Sequence, residues 1–343
     1  MAAKSVIVIG GGIAGMEVSN QLSSLGYEVR LIEKNDQVGG KLLNWDRLFP
    51  TFRNAGEVLQ RLQQKMDQRE VIVDTNAEVT DVVKEKETFF VTVNHSVKYH
   101  ADALVVATGF ELFNAQRKEE YGYGIYDNVI TSADLEKLFK SGGKLTNPMG
   151  KVPQRIAIVH CVGSRDSKVG NHYCSKVCCV TGVKQAIELQ EQIPGVVVYC
   201  FYMDLRMYGE GFEELYRRAQ EQHNIQFIRG RVSEVSETLD HSIQLKAEDT
   251  LAGRPLKMCV DLLVLMVGME PGKGSVSVKN MLKLGTMDSG FLEPADVHLS
   301  RNVSSSKGIF MAGTAISPMS VNDTLENARS AAFEVHHYFQ DID

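Results

Sequence analysis

The sequence has no apolar stretch long enough to cross a bilayer. Its longest runs, such as Leu262 to Met269, are strand-length, far below the roughly 18 residues a spanning helix needs. It also lacks any block of clustered Lys and Arg, and its formal net charge is -6. Nucleic acid, which is bound through such clusters, is therefore not the expected partner. No segment reads as a tail or linker. No leader pattern opens the chain, which reaches an apolar strand by Ser5, and this predicts a reducing, cytoplasmic setting. Cysteine is scarce, with 6 in 343 residues, but four crowd together at Cys161, Cys174, Cys178 and Cys179 while Cys200 and Cys259 stand alone. In a reducing compartment such clustering favours a metal centre over disulfides.

What is present reads as an ordinary globular chain, 43% hydrophobic and 23% charged, and its length predicts two domains. Ser5–Ile9 is a β-branched run without alternation, as in a strand buried on both faces of a parallel sheet. Gly10-Gly-Gly-Ile-Ala-Gly15 follows at once, and a helical pattern runs from Met16 to Leu25 with Gly26 as its stop. In this Gly-x-Gly-x-x-Gly segment Gly10 makes the tight turn, Gly12 lets the backbone approach a pyrophosphate, and Gly15 lets helix and strand pack closely. Ile13 and Ala14, between the last two glycines, open the helix whose N-terminus meets the anion. A second strand, Glu28 to Glu33, ends in an acid placed to accept hydrogen bonds from an adenosine ribose, with Lys34 beside the adenine. Strand, turn, helix and acid are separate requirements, and together they predict dinucleotide binding.

Downstream, Val38-Gly39-Gly40-Lys41-Leu42, Ala103 to Ala107-Thr108-Gly109, and Lys307 to Gly313-Thr314 followed by a helix from about Asp323 to Phe339 resemble the two-dinucleotide-domain flavoproteins, which include glutathione and thioredoxin reductases. The resemblance implies an α/β fold with parallel Rossmann-type sheets. It also implies FAD contacts at these glycines, at Lys41, Leu42, Ala107, Thr108 and Thr314, and at Val79. A split FAD domain over 1–112 and 270–343 is expected, with a connecting segment over 113–150 and an inserted domain over 151–269.

In pyridine-nucleotide reductases the inserted domain repeats the strand, glycine turn and helix to hold NAD(P)H. Here Gln154 to His160 is a good first strand, but Cys161-Val-Gly-Ser-Arg-Asp166 follows, without the glycine fingerprint. An insertion, Ser167 to Lys176, then leads to Cys178-Cys179 before a helix resumes at Gly182. Four thiolates from a strand end, a loop and a helix start suit an iron–sulfur cluster or zinc, and buried free thiols are the third reading. Adjacent Cys178 and Cys179 can face one centre only on irregular backbone, because neighbouring side chains diverge in helix and strand alike. His160 and His172 are expected to pack or tune, His336-His337 to be a solvated pair, and the Glu-rich stretches Val83 to Thr88 and Ser233 to Asp240 to be hairpin turns.

Cys161 to Asp166, Tyr173 to Cys179 with Lys184 and Ala186, and Phe227-Ile-Arg-Gly-Arg231 together resemble the A subunit of heterodisulfide reductase over nearly the whole chain. The short form is similar to the A subunits of sulfur-oxidising heterodisulfide-reductase-like complexes and of the quinone-interacting oxidoreductase of sulfate reducers. The resemblance implies an electron-transferring oxidoreductase in sulfur metabolism, a homodimer working with other subunits. It implies a [4Fe–4S] cluster on Cys161, Cys174, Cys178 and Cys179 near the FAD, with Lys184 reaching the isoalloxazine. Closely repeated Cys-x2-Cys runs of the longer family members are absent, and Thr314 to Asp323 departs from the family pattern. The rival readings are an NAD(P)H-dependent flavin reductase and a zinc-holding protein without redox chemistry.

Overall fold

The computed structural model describes residues 4–147 and 150–342. The chain divides into two compact units. One takes its described residues from Met1–Leu43, Gly56–Glu111 and Glu270–Asp343, the other comprises Asn44–Ala55 and Leu112–Met269.

The first unit is built on a five-stranded sheet in the order Ile309–Met311, Ala103–Val106, Ser5–Ile9, Glu28–Ile32, Ile72–Asp74. All its pairings are parallel, with Val6 opposite both Val29 and Ala103. Four of the five residues of Ser5–Ile9 and all of Ala103–Val106 are buried, which is why these segments read as unbroken apolar runs. The helix Ile13–Ser24 leaves the first strand directly after Gly12. It ends before Gly26, whose φ of +89° suits the residue that stops a helix. An antiparallel sheet, Val79–Glu85, Thr88–Val93 and Val97–Ala101, carries Val82, Phe89 and Val91 into the same core.

The second unit repeats this plan. Its parallel sheet runs Val129–Thr131, Leu262–Val267, Arg155–Val162, Val197–Tyr202, Gln226–Arg229, and a three-stranded antiparallel sheet, Val232–Glu237, Ile243–Asp249 and Arg254–Val260, accompanies it. Arg155–Val162 has a core on each side: Ile156 and Ile158 pack with Val183 and Ile187 of the helix Cys178–Gln192, while Ala157 and Val159 pack with Ile243 and Leu245.

Residues 113–150, read from the sequence as a connection, instead supply the strand Val129–Thr131 and the helix Ser132–Ser141. That helix opens on a Thr131/Asp134 capping box and closes on Gly142 at φ +64°. The Glu-rich stretch Val83 to Thr88 does turn a hairpin, but Val232–Glu237 is strand, and its turn falls later. A register shift between Val232 and Glu234 breaks the alternation there. Among the described residues no helix is long and apolar enough to cross a membrane.

Candidate cofactor sites

The dinucleotide cradle lies within the first unit. Gly10, at φ +110°, turns so close to the next strand that a Cβ would stand 2.4 Å from the Ala107 carbonyl oxygen, and a Cβ on Gly15 would meet the Gly10 carbonyl at 1.9 Å. Gly12 differs: a Cβ there would point into open space, and the helix it opens has no side-chain cap. The leading N–H groups of Ile13 and Ala14 therefore lack the usual side-chain acceptor at a helix start. Glu33 is buried, and its carboxylate accepts from the Gly11 N–H at 2.7 Å and from the Asn35 N–H and side-chain amide at 2.8 and 2.6 Å. Gly11 and Asn35 escaped the sequence reading because they act through backbone and neighbour contacts. Gly39 donates to the Gly11 carbonyl at 2.7 Å, which brings the second glycine pair beside Gly12. An open helix N-terminus, space at Gly12 and an oriented acid fit the pyrophosphate and ribose of an FAD adenosine half.

Other expected contacts have different settings. Lys41 pairs with Glu111 at 2.8 Å, Thr108 shares a 2.6 Å hydrogen bond with Ser275, and Val79 and Leu42 are core residues. Lys34 is exposed. Gly109 (φ +74°) and Gly313 (φ +65°) both make left-handed turns, Gly313 against Ala14. Thr314 is buried beside it. The helix Val321–Ile342 opens on a capping box, in which the Ser320 hydroxyl accepts the Asp323 N–H at 3.1 Å and the Asp323 carboxylate accepts the Ser320 N–H at 2.9 Å. His336, expected to be solvated, bonds Tyr27 at 2.7 Å.

The cysteines lie within the second unit. Cys161 stands where the strand Arg155–Val162 loses register with its neighbour, at φ +62°. Cys174 accepts the Lys176 N–H at 3.3 Å. Cys178 and Cys179 are the first two residues of the helix Cys178–Gln192, a turn earlier than the sequence suggested. The irregular backbone expected at this pair lies just ahead of it, at Lys176 with φ +64°.

Cys161, Cys178 and Cys179 are buried and Cys174 partly so. Each of the three buried thiols feels at least one other member of the set, Cys178 all three. Burial pushes Cys161 up to about 11 and raises Cys178 and Cys179 as well, while the Arg165 guanidinium and the Arg206 backbone N–H oppose it at Cys161 and Cys179 respectively. Among the described residues no three His, Cys, Asp or Glu side chains close on a point as ligands of a single ion do. The donor set is nonetheless all thiol, as iron–sulfur clusters require. Cys200 is buried in the core and Cys259 lies on the antiparallel sheet.

The loop between Cys161 and Cys178 is fastened by groups the sequence reading passed over. Buried Asp166 takes Lys118 at 2.7 Å, Arg231 at 2.8 Å and the Lys168 N–H at 3.1 Å. Ser164 and Ser175, both buried, bond each other, and Ser175 accepts the Met269 N–H at 2.8 Å. Arg165 and Asp166 were in view as part of the Cys161 segment, but polarity alone did not mark them as anchors. His160 is buried against Gly182 with neither ring nitrogen hydrogen-bonded, and burial lowers it to about 4, so it packs as a neutral ring.

Lys184 is almost fully buried on the cysteine helix. Its ammonium is engaged by Glu136, by Glu188 at 3.1 Å and by the Arg47 carbonyl at 3.0 Å. Two hydrogen bonds, to Glu136 and the Arg47 carbonyl, and an ion pair with Glu188 hold it inside its own unit, a setting different from the flavin contact expected of it.

Residues 4–159 match the family model of pyridine nucleotide-disulphide oxidoreductases. Thioredoxin reductases of Lactococcus lactis and T. acidophilum superpose with TM-scores of 0.69 and 0.66 at 17% identity, covering 98% and 99% of this chain and 99% and 100% of theirs. Fold and family model define the class: a two-dinucleotide-domain α/β flavoprotein of the oxidoreductase type. Within it, the chain is 31% identical to the iron-sulfur A subunit of the CoB–CoM heterodisulfide reductase of Methanocaldococcus jannaschii, over 97% of its own length. It is 30% identical, over 97% of its length, to the A subunit of the H2/formate:CoB-CoM heterodisulfide,ferredoxin reductase of Methanococcus maripaludis. The chain is thus similar to heterodisulfide reductase A subunits, and it spans 64% of the length of each of these two relatives.

Proposed function

We propose that this chain is an electron-transfer subunit of a heterodisulfide-reductase-like complex in sulfur metabolism, holding FAD in its first unit and a [4Fe–4S] cluster in its second. The observation that carries the reading is that Cys161, Cys174, Cys178 and Cys179 occupy the strand end, loop and helix start where a nucleotide-binding unit would present its glycines, three of them buried. When bound, the flavin exchanges one or two electrons and the cluster one, so a chain holding both can interconvert pair and single transfers. The chain's own residues do the holding. Gly10 and Gly15 bring the first helix onto the strand, Glu33 is oriented by Gly11 and Asn35 for the ribose, and the four cysteines supply thiolates from three separate segments. Ser175 and Asp166 keep the cysteine loop folded over its site and so limit water there. The relatives are named as A subunits of larger reductases, which supports further subunits as the entry and exit for electrons.

The test is anaerobic purification with metal, sulfide and flavin analysis. About four iron and four sulfide per chain are expected, with tightly bound FAD. Serine at any of the four cysteines lowers iron and spares FAD, whereas Cys200→Ser and Cys259→Ser retain it. Zinc in place of iron, or equal loss from all six substitutions, overturns the reading.

A further inference from the structure

Arg165 follows the cysteine turn at φ +52°, a left-handed conformation that a non-glycine residue keeps only when its surroundings hold it. They do: its N–H bonds the Tyr173 carbonyl at 2.9 Å, tying it across the loop beside Cys174. At the other end, Asp204 grips Nη2 at 2.7 Å. The same Asp204 presents its backbone carbonyl 3.7 Å from the Cys179 thiol, so the guanidinium is held where the cysteine segments meet. Its remaining terminal nitrogen, Nη1, is buried and has no hydrogen-bond partner in the protein. A buried guanidinium N–H without an acceptor is costly. Asp204 joins this guanidinium to Cys179, and the Arg165 N–H joins it to the residue before Cys174, so the acceptor that Nη1 lacks belongs among the cysteines.

We infer that Arg165 is a cofactor-contacting residue, whose Nη1 donates to sulfur of the cluster held by Cys161, Cys174, Cys178 and Cys179 and raises its reduction potential. The inference rests on the proposed cluster and deepens it. Reduction adds one negative charge to a centre already surrounded by thiolates. A fixed cation and a directed N–H stabilise that added charge more than they stabilise the oxidised form. Asp204 keeps the guanidinium aimed and is a positioning residue. Being half exposed, it offsets little of the cation's field at the buried side.

The experiment is a dye-mediated anaerobic titration of the full chain with dithionite, followed by the cluster's spectroscopic signal, with iron and FAD content measured in each preparation. Arg165→Gln is expected to make the cluster harder to reduce, lowering the reduced-to-oxidised ratio at a fixed potential about tenfold, equivalent to 59 mV for one electron. Arg165→Lys, which keeps the charge but loses the fork, is expected to fall between the two, and FAD is expected to be retained throughout. Arg165→Lys replaces Arg165→Gln as the deciding variant if that protein loses its iron. An unchanged ratio in iron-replete variants overturns the role of Arg165 and leaves the cluster standing, whereas wild-type protein without iron overturns the cluster itself and this inference with it.

Discussion

Glu188 shows how a buried carboxyl behaves when its cation is shared. Burial raises it, the Lys184 ammonium lowers it, the neighbouring Glu136 and Asp46 raise it again, and the result is about 7. The native state then holds a proton that the unfolded chain has already released. Stability attributable to this group therefore falls as pH rises from the ordinary carboxylate range through about 7. Glu188→Gln, neutral throughout, is expected to flatten that slope, and denaturant midpoints measured from the ordinary carboxylate range up to about 7 check it; an unchanged slope refutes it.

Asp166 has the opposite sign. Burial works against its charge, but hydrogen bonds from Lys118 and the Lys168 N–H, with the charge of Arg231, hold it below the usual carboxylate range. Its contribution is present above that range and lost as pH falls through the lowered value. Asp166→Asn leaves buried Lys118 with Glu120 alone at 2.7 Å, at a cost of about 3 kcal/mol. Because the loop bearing Cys174 depends on Asp166, iron retention should fall while flavin content holds, which metal and flavin assays on one preparation would resolve.

At the scale of elements, two glycines three residues apart on one helix do different jobs. A Cβ at Gly15 would overlap the Gly10 carbonyl, so the helix must move off its strand, and Gly15→Ala is expected to cost about 1–3 kcal/mol of stability. A Cβ at Gly12 meets nothing within 4 Å, so Gly12→Ala should leave stability within about 0.5 kcal/mol and yet weaken FAD retention at least about tenfold. Thermal unfolding and flavin content after gel filtration separate the two. This first unit was legible because Ser5–Ile9, the glycines and Glu33 each carry a local signature. The strand Val129–Thr131 was not: three residues fixed by long-range pairing with Leu262–Val267 leave no period to read. Likewise, the start of the cysteine helix at Cys178 was hidden, since Cys-Cys-Val-Thr carries no capping signal and burial of the thiols decides it.

For the molecule as a whole, the repeated plan of two parallel sheets was readable from paired strand patterns. What distinguishes the second unit was readable only as a substitution, cysteines for glycines. The structure adds the physical consequence. A nucleotide pyrophosphate needs a tight turn from strand to helix and an open helix N-terminus. Here the strand ends at Val162 and the next α-helix begins at Cys178. The loop between them is pinned by Asp166 and Ser175, and the helix start is given to two buried thiols. Opening that site would break the buried Asp166–Lys118 pair and expose the thiols, which binding a dinucleotide would have to offset. Neither NADH nor NADPH should therefore reduce the flavin of the isolated chain above the rate without them, whereas dithionite should reduce it fully. Stopped-flow absorbance at the flavin band decides the point: rapid stoichiometric bleaching by NADH would mean that the second unit binds a nicotinamide after all and would favour a flavin reductase.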